Sequence, residues 1–303
     1  MRAFMNRSFA SWLATNPGGA VFASGLFGLL PLFGLGFAFF LPGAVPALLA
    51  LSRGPRAGAM VAAGSALLLA AAMWSIGRPA QVGLVYALWV LGPPLLLALV
   101  LQRSESLSLC LQLAILAGLV MLVVLHAAFG DPTRFWAPFV RDLALEMQKR
   151  GLSMGLEDDA IVEALARSLW GWVTVLTLLL GMCAVFLARW WQYLAGQSGS
   201  FGAEFRRLRI GRALGIAAAA AIAASMFTDR PFIDDLARFF LAALVLVGLA
   251  AAHRYRHARA ANAGWLWAVY VLLLLAAPLA MPVLAGLGFV DNWRRSGAAP
   301  RPA

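Results

Sequence analysis

Three carboxylates, those of Asp229, Asp234 and Asp235, fall in one short polar turn between two apolar stretches of the chain. Arg230 and Arg238 lie beside them in sequence. Clustered carboxylates at the mouth of a cavity can bind a cation or a basic ligand. Alternatively, Asp234 caps the following helix next to a solvated ion pair. The first interpretation makes the three acids a candidate ligand mouth, and the second gives them a structural role.

His253 and His257 are spaced so that their imidazoles would share one face of a helix, as two metal ligands do. Arg254, Arg256 and Arg259 surround them, and their positive charges repel a cation. We therefore interpret this segment as a basic loop and not as a metal site.

The other reactive side chains give no catalytic pattern. Cys110 and Cys183 each lie inside an apolar block, where we expect small buried thiols and no disulfide. His126 has Asp131 close by in sequence and can titrate with it, although a lone histidine is more often satisfied by packing. No zincin, nucleophile-elbow or paired-acid pattern occurs. We expect no enzymatic activity, no metal and no cofactor.

Aromatic and cationic residues interleave in one loop. Such a loop suits a membrane interface, with tryptophan at the level of the head groups and arginine on lipid phosphates. It equally suits a docking surface for a partner protein. The candidate residues for either interface are Arg189, Trp190, Trp191, Phe205, Arg206 and Arg209.

The composition of the chain predicts the kind of secondary structure that contains these residues. Of 303 residues, 62% are hydrophobic and 12% are charged, which is too apolar for a domain with a water-facing surface. The apolar residues form blocks of about 17 to 25 residues, long enough to cross a bilayer as helices. The net charge of +11 comes from arginines that border these blocks, so it predicts topology and not nucleic-acid binding.

The blocks predict an all-α, polytopic transmembrane bundle with about eight or nine spans. The first stretch, 18–51, is too long for one span and is interrupted by proline and glycine, so we expect two short helices in a hairpin. The further predicted spans are 58–76, 82–101, 107–129, 169–188, 211–227, 236–252 and 265–287.

The long polar segment 131–168 has an excess of acids, and counting spans places it outside the membrane on the extracytoplasmic face. Phe139 and Leu143, and later Ile161 and Leu165, recur at helical spacing, which predicts two amphipathic helices on the membrane surface. The basic loops 189–212 and 253–259 fall on the cytoplasmic side. The side of the C-terminus stays open, because Pro278 and Pro282 can turn the last span into a re-entrant hairpin.

Two motifs stand out in the chain: Arg189-Trp190-Trp191-Gln192 with Phe201-Gly202-Ala203-Glu204-Phe205-Arg206-Arg207-Leu208-Arg209, and Gly288-x-x-Asp291 followed by Arg294. Together they resemble the motifs of the YybS-like family of bacterial membrane proteins. That family has no established function, and it is distantly similar in fold to the substrate-capture subunits of energy-coupling-factor transporters. The resemblance implies a small-molecule capture subunit that pairs with another membrane subunit, and ATP hydrolysis would come from partners because the chain has no Walker A motif.

We therefore expect residues 1–303 to form one integral domain of a bacterial inner membrane, in contact with lipid and without nucleic acid. The first functional hypothesis is small-molecule capture or transport, with a cavity between the first hairpin and the late spans near Asp234. The second is a non-catalytic membrane scaffold or assembly factor, favoured by the basic and aromatic loop and by the few polar residues within the spans.

Overall fold

The computed structural model describes residues 2–151, 158–196, 199–259 and 262–296, and over these residues the chain is helical with no strand. The all-α prediction is therefore confirmed for the described chain. Two short 3-10 turns, Leu30–Phe33 and Gly36–Ala38, follow the second helix. The helices are α1 (Arg2–Thr15), α2 (Pro17–Leu29), α3 (Leu41–Arg53), α4 (Pro55–Ser75), α5 (Ala80–Ser104), α6 (Leu107–Phe129), α7 (Pro132–Lys149), α8 (Asp159–Arg167), α9 (Leu169–Leu194), α10 (Phe201–Phe205), α11 (Gly211–Ser225), α12 (Pro231–Ala258), α13 (Ala263–Leu275) and α14 (Ala277–Ser296).

The chain divides into two compact units. Unit 1 contains residues 1–114 and 177–208, and unit 2 contains residues 115–176 and 209–303. The long helices α6 and α9 each contribute one part to unit 1 and the other part to unit 2. The expectation of one integral domain stays a prediction.

Unit 1 begins with the predicted hairpin of two short helices, which is confirmed as α2 and α3. Gly34 ends the connecting turn in the left-handed region, with φ of +80°, a conformation that glycine adopts without a steric cost. The hydroxyl of Ser24 on α2 donates to the carbonyl of Pro42 at 2.9 Å. Arg53 donates to the carbonyl of Thr15 at 3.0 Å, which places the end of α3 beside the end of α1.

Within the part of the chain that the structure describes, five helices are long and apolar enough to cross a membrane: α4, α5, α6, α9 and α12. Segments Phe9–Thr15 and Pro17–Phe33 form a sixth candidate, although they are bent by 116°. Apolar helices α3, α11 and α13 are shorter than the roughly 20 residues that a straight crossing needs. The structure thus supports a multi-pass membrane protein, and the count of eight or nine spans stays a prediction.

Helices α7 and α8 occupy the segment that was predicted to hold two amphipathic helices, of which residues 152–157 lie outside the described part. Gly151 follows α7 with φ of +74°, a left-handed conformation in which glycine commonly ends a helix. The two helices pack on each other through small and branched side chains. This contact consists of Ala137, Val140, Val162 and Ala166. The apolar residues that were predicted to line a surface stripe, among them Phe139 and Leu143, are exposed.

Unit 2 is organised around the crossing of α12 and α14. A side chain on Gly288 would strike the Leu244 carbonyl and the Gly248 backbone, so the two backbones touch here because both crossing residues are glycine. Beyond the crossing, Asp291 on α14 forms an ion pair with Arg254 on α12. The C-terminal ends of both helices therefore lie at the same end of unit 2.

The last predicted span, 265–287, is wrong as a single helix. The chain breaks at Ala276, with φ of −135° and ψ of 47°, and α14 begins at the next residue with Pro278 in its first turn. Asn292 then binds the start of α11: its side-chain oxygen accepts from the backbone N–H groups of Ile210 and Gly211 at 3.0 Å each. The basic starts and ends of α11, α12 and α14 are thus gathered at one end of unit 2.

Candidate functional site

An open groove lies between α12, α13 and α14 in unit 2, with a volume of about 840 Å³. We call it the α12–α14 groove. Its walls are mostly aliphatic and aromatic, and its charged residues are few. The lining residues are Ala251, Arg254, Tyr255, Ala258, Trp265, Pro282, Val283, Gly286, Leu287, Val290, Asp291 and Arg294.

One end of the groove is charged. Arg254 and Asp291 are in direct ionic contact, and their side chains are 27% and 21% exposed. The guanidinium of Arg295 lies 3.8 Å from the second carboxylate oxygen of Asp291, and Arg294 is exposed on the same turn. Two guanidinium groups, those of Arg254 and Arg295, therefore lie at one carboxylate, and Arg294 adds a further positive charge on the same turn, which favours an anion.

The rest of the groove is apolar and has room for a ligand. Val283, Leu287 and Val290 are exposed on the wall formed by α14. A Cβ atom placed on Gly286 would meet nothing within 4 Å, so this part of the wall is recessed and open. Such a surface binds hydrocarbon and gives a polar solute no hydrogen-bond partner.

Two aromatic rings flank the charged end. Tyr255 and Trp265 pack with their ring centroids 5.7 Å apart, and the guanidinium of Arg259 lies 4.4 Å from the centre of the Tyr255 ring. Tyrosine and tryptophan are enriched at the level of lipid head groups because one edge of the ring is polar and the body is apolar. The groove thus has an interfacial end and a hydrocarbon end.

The C-terminal motif positions this groove. Gly288 permits the close crossing with α12, Asp291 holds Arg254, and the neighbouring Asn292 fixes α14 to α11 by accepting two N–H groups and donating to the Gly211 carbonyl at 2.8 Å. Arg294 extends from the same motif into the groove lining. The motif residues Gly288, Asp291 and Arg294 are therefore brought together, although sequence alone did not connect them to Arg254.

The acidic turn at the other end of α12 is arranged differently from the open mouth that the sequence suggests. Asp235 is fully buried, with one carboxylate oxygen 3.0 Å from Nε2 of His126 and the other 2.5 Å from Arg238. Gly171 on α9 makes room for this pair, because a side chain there would strike both Asp235 and Arg238. The arrangement joins α6, α9 and α12 through one buried charged cluster.

Arg167 contacts the side chain of Asp234 and the backbone of Asp229 at a second, more exposed place. Arg167, at the end of α8, lies 3.7 Å from Asp234 and donates to the backbone carbonyl of Asp229. The three acids therefore do not converge on one site: Asp235 faces the protein interior, and Asp234 faces Arg167. The predicted partner of His126, Asp131, instead caps α7 by accepting from the N–H of Thr133 at 2.9 Å.

The motif loop of unit 1 folds into an internal network. Arg189 binds both carboxylate oxygens of Glu204, with N–O distances of 3.0 and 2.7 Å, and donates to Gln192 at 2.7 Å. Gln192 is buried and donates to the carbonyl of Leu51 at 2.9 Å. The hydroxyl of Tyr193 donates to the same carboxylate. The network ties α10 to the end of α9 and to the end of α3.

The other residues of the predicted interface have separate environments. Trp191 is buried and packs edge-on against Phe9 at 5.9 Å, whereas Trp190 is exposed. Phe205 packs against Phe186 at 5.3 Å, and Arg206 is partly buried. Arg209 is exposed and belongs to unit 2.

The histidine and cysteine residues make no metal cluster among the described residues. His253 lies 2.9 Å from the hydroxyl of Tyr270, and His257 is exposed. Cys110 is buried and Cys183 is partly buried, and both are free thiols.

Comparison with known proteins gave no relatives: no protein-family model, curated protein or solved structure matches this chain. The geometry of the described residues therefore carries the functional argument.

Proposed function

We propose that this chain is a multi-pass protein of a bacterial inner membrane that captures an amphiphilic small molecule in the α12–α14 groove. The observation that carries the proposal is the groove itself, which combines an apolar wall with one charged and aromatic end. Its volume of about 840 Å³ lies within the range of ligand pockets, about 300 to 1,000 Å³. The resemblance to YybS-like proteins supports a capture subunit that works with a second membrane subunit.

The groove is favoured over the acidic turn because one of its charged side chains, that of Arg294, is exposed. Asp235 is fully buried and already has two partners, His126 and Arg238, so a ligand there would have to break existing contacts. Arg294 in the groove is exposed and lines open space. The two places are at opposite ends of α12, roughly 28 Å apart by the rise of an α-helix.

Gly286→Leu tests the proposal by filling the groove. The added side chain meets open space, and leucine favours a helix over glycine by up to about 1 kcal/mol, so the variant should fold. A bound ligand raises the stability of the folded state by about 2.7 kcal/mol at a hundredfold excess over its dissociation constant. We expect thermal unfolding in detergent to shift upward with membrane amphiphiles for the wild type and for Gly286→Ala, but not for Gly286→Leu. Equal shifts in all three proteins, or none in the wild type, would overturn the proposal.

We further propose eight or nine membrane crossings, with 131–168 on the extracytoplasmic side and 189–212 on the cytoplasmic side. The charge bias of the loops supports this orientation. In a background without Cys110 and Cys183, a cysteine at Glu163 should react with an impermeant reagent in intact cells, and one at Ser200 should not. The reverse pattern would invert the topology.

The alternative function is a membrane scaffold whose docking surface is the loop of α9 and α10. It is supported by the exposure of Trp190 and Arg207, which lie close in sequence to the residues of the Arg189 network. Replacing Arg206, Arg207 and Arg209 with glutamate should then abolish recovery of a partner protein and leave amphiphile binding intact. Unchanged co-purification in that variant would remove the scaffold hypothesis.

A further inference from the structure

The balance of charge at the groove indicates the sign of its ligand. Arg254 and Arg295 both lie at the carboxylate of Asp291, and Arg294 lines the groove close to them in sequence. Burial lowers the pKa of the Arg295 guanidinium, and the positive charge of Arg254 lowers it further. Lowering of this kind reflects crowded like charges in a partly dehydrated place, which an added anion relieves. An anionic head group is attracted to these positive charges, whereas a cationic one is repelled.

The positions of the charges relative to the apolar wall indicate the shape of the ligand. Along α14, Val283 lies on the hydrocarbon part of the groove and Arg294 at its charged end, roughly 16 Å apart by the rise of a helix. Tyr255 and Trp265 mark the interfacial level at the charged end. A molecule that satisfies both ends has an anionic head and an extended apolar tail.

We infer that the α12–α14 groove binds an anionic phospholipid from the adjoining leaflet of the bilayer, with its phosphate on Arg254 and Arg294 and one acyl chain along Val283 and Leu287. This inference rests on the proposed function and names its ligand class. The ion pair of Arg254 with Asp291 keeps the first guanidinium oriented, and the exposed Arg294 completes the contact with the phosphate. The lipid needs no aqueous route because the groove is open on its side.

Binding of purified lipids to the delipidated protein tests the head group. The probes are phosphatidylglycerol and phosphatidylcholine with identical acyl chains, and glycerol phosphate as a head group without a tail. We expect phosphatidylglycerol to bind at least about tenfold more tightly than phosphatidylcholine, because both lipids carry the same phosphodiester but the arginines repel the choline cation. We expect glycerol phosphate not to compete at equal concentration, because it lacks the tail.

Variants that remove charge test whether the preference for phosphatidylglycerol over phosphatidylcholine arises in the groove. Arg294→Gln should weaken phosphatidylglycerol about tenfold and reduce its preference over phosphatidylcholine, because the change removes both a contact with the shared phosphate and a charge that repels choline. Arg254→Gln combined with Asp291→Asn removes the ion pair without leaving a charge unpaired, and it should have the same effect. Arg256→Gln is the matched control, since it removes the same charge from the same helix end but faces a different depression, beside Trp267. It should change neither lipid.

Each other result of these binding measurements contradicts a different part of the inference. If both lipids bind equally to the wild type and both are lost in Gly286→Leu, the anionic head group is wrong and amphiphile capture stands. Competition by glycerol phosphate as strong as by phosphatidylglycerol would make the ligand a soluble phosphate and overturn the lipid. An equal loss in Arg256→Gln and Arg294→Gln would replace a specific site with general surface charge. If neither lipid binds and Gly286→Leu changes nothing, the inference and the proposed function both fall.

Discussion

The neighbouring acids Asp234 and Asp235 should differ sharply in their contribution to stability, although the sequence presents them as equals. Asp235 is fully buried and lies 2.5 Å from Arg238 and 3.0 Å from His126. Asp234 is 33% exposed and lies 3.7 Å from Arg167, which is 41% exposed. The contacts of Asp235 are therefore desolvated, whereas the ion pair of Asp234 with Arg167 is screened by solvent.

The burial of each side chain determines how much free energy of unfolding its variant should lose. Removing one partner of a buried ion pair destabilises a protein by about 3 to 5 kcal/mol. We expect the lower limit, about 3 kcal/mol, for Asp235→Ala, because the orphaned Arg238 is 28% exposed and is able to hydrate. Arg238→Ala should cost more, toward about 5 kcal/mol, because it leaves a carboxylate with no exposure at all with His126 as its remaining charged partner. Asp234→Ala should cost no more than about 1 kcal/mol.

Reversible unfolding in mixed detergent micelles measures these differences. The double variant Asp235→Ala, Arg238→Ala should lose less stability than the sum of the two single variants, with a coupling energy of about 1 to 3 kcal/mol. Asp234→Ala serves as the matched control, one residue away with the same loss of charge. Similar losses for Asp234→Ala and Asp235→Ala, or additive losses in the double variant, would refute the buried-cluster argument.

Three further predictions follow from the other contacts. Arg189→Lys should lower stability by about 1 to 3 kcal/mol in unfolding assays, because lysine cannot bind both oxygens of Glu204 in a planar fork; equal stability would refute the network. Asn292→Ala should cost about 1 to 3 kcal/mol and speed hydrogen exchange at the start of α11, since two N–H groups lose their acceptor; unchanged exchange would contradict this. Gly288→Leu should abolish folding by forcing α12 and α14 apart, whereas Gly286→Leu should fold, and equal expression of the two would disprove the crossing.

Much of the secondary structure was predictable because it depends on local sequence. The proline and glycine residues that interrupt 18–51 correctly predicted two helices, and helix α6 has the predicted bounds 107–129. The break at Ala276 was missed as the boundary of two helices. Hydropathy is continuous across it, and only Pro278 indicated a change.

The partners of charged residues were not predictable, because they depend on how distant helices pack. Asp235 pairs with His126, and Arg254 with Asp291, across long separations in sequence. The turn at Asp234 attracted attention because its acids are adjacent in sequence, yet packing separates their side chains. A signal for the groove was present in the recessed Gly286, which stands in an apolar stretch that ends in arginines.

The position of the end of α14 depends on packing, which charge counting along the sequence does not register. Because α13 and α14 are separate helices and Asp291 pairs with Arg254, the end of α14 lies beside the basic end of α12. The arginines at the end of α14 are thus gathered with those of 253–259 at one end of unit 2.

The most direct test of amphiphile capture is to identify by mass spectrometry the molecules that co-purify with the protein. Wild type, Gly286→Ala and Gly286→Leu would be extracted under identical mild conditions and compared at equal protein amounts. The account predicts one amphiphile with an anionic head group in about equimolar amount in the first two proteins, and its loss from Gly286→Leu. An empty wild type, or the same lipids in the same amounts in all three proteins, would contradict it.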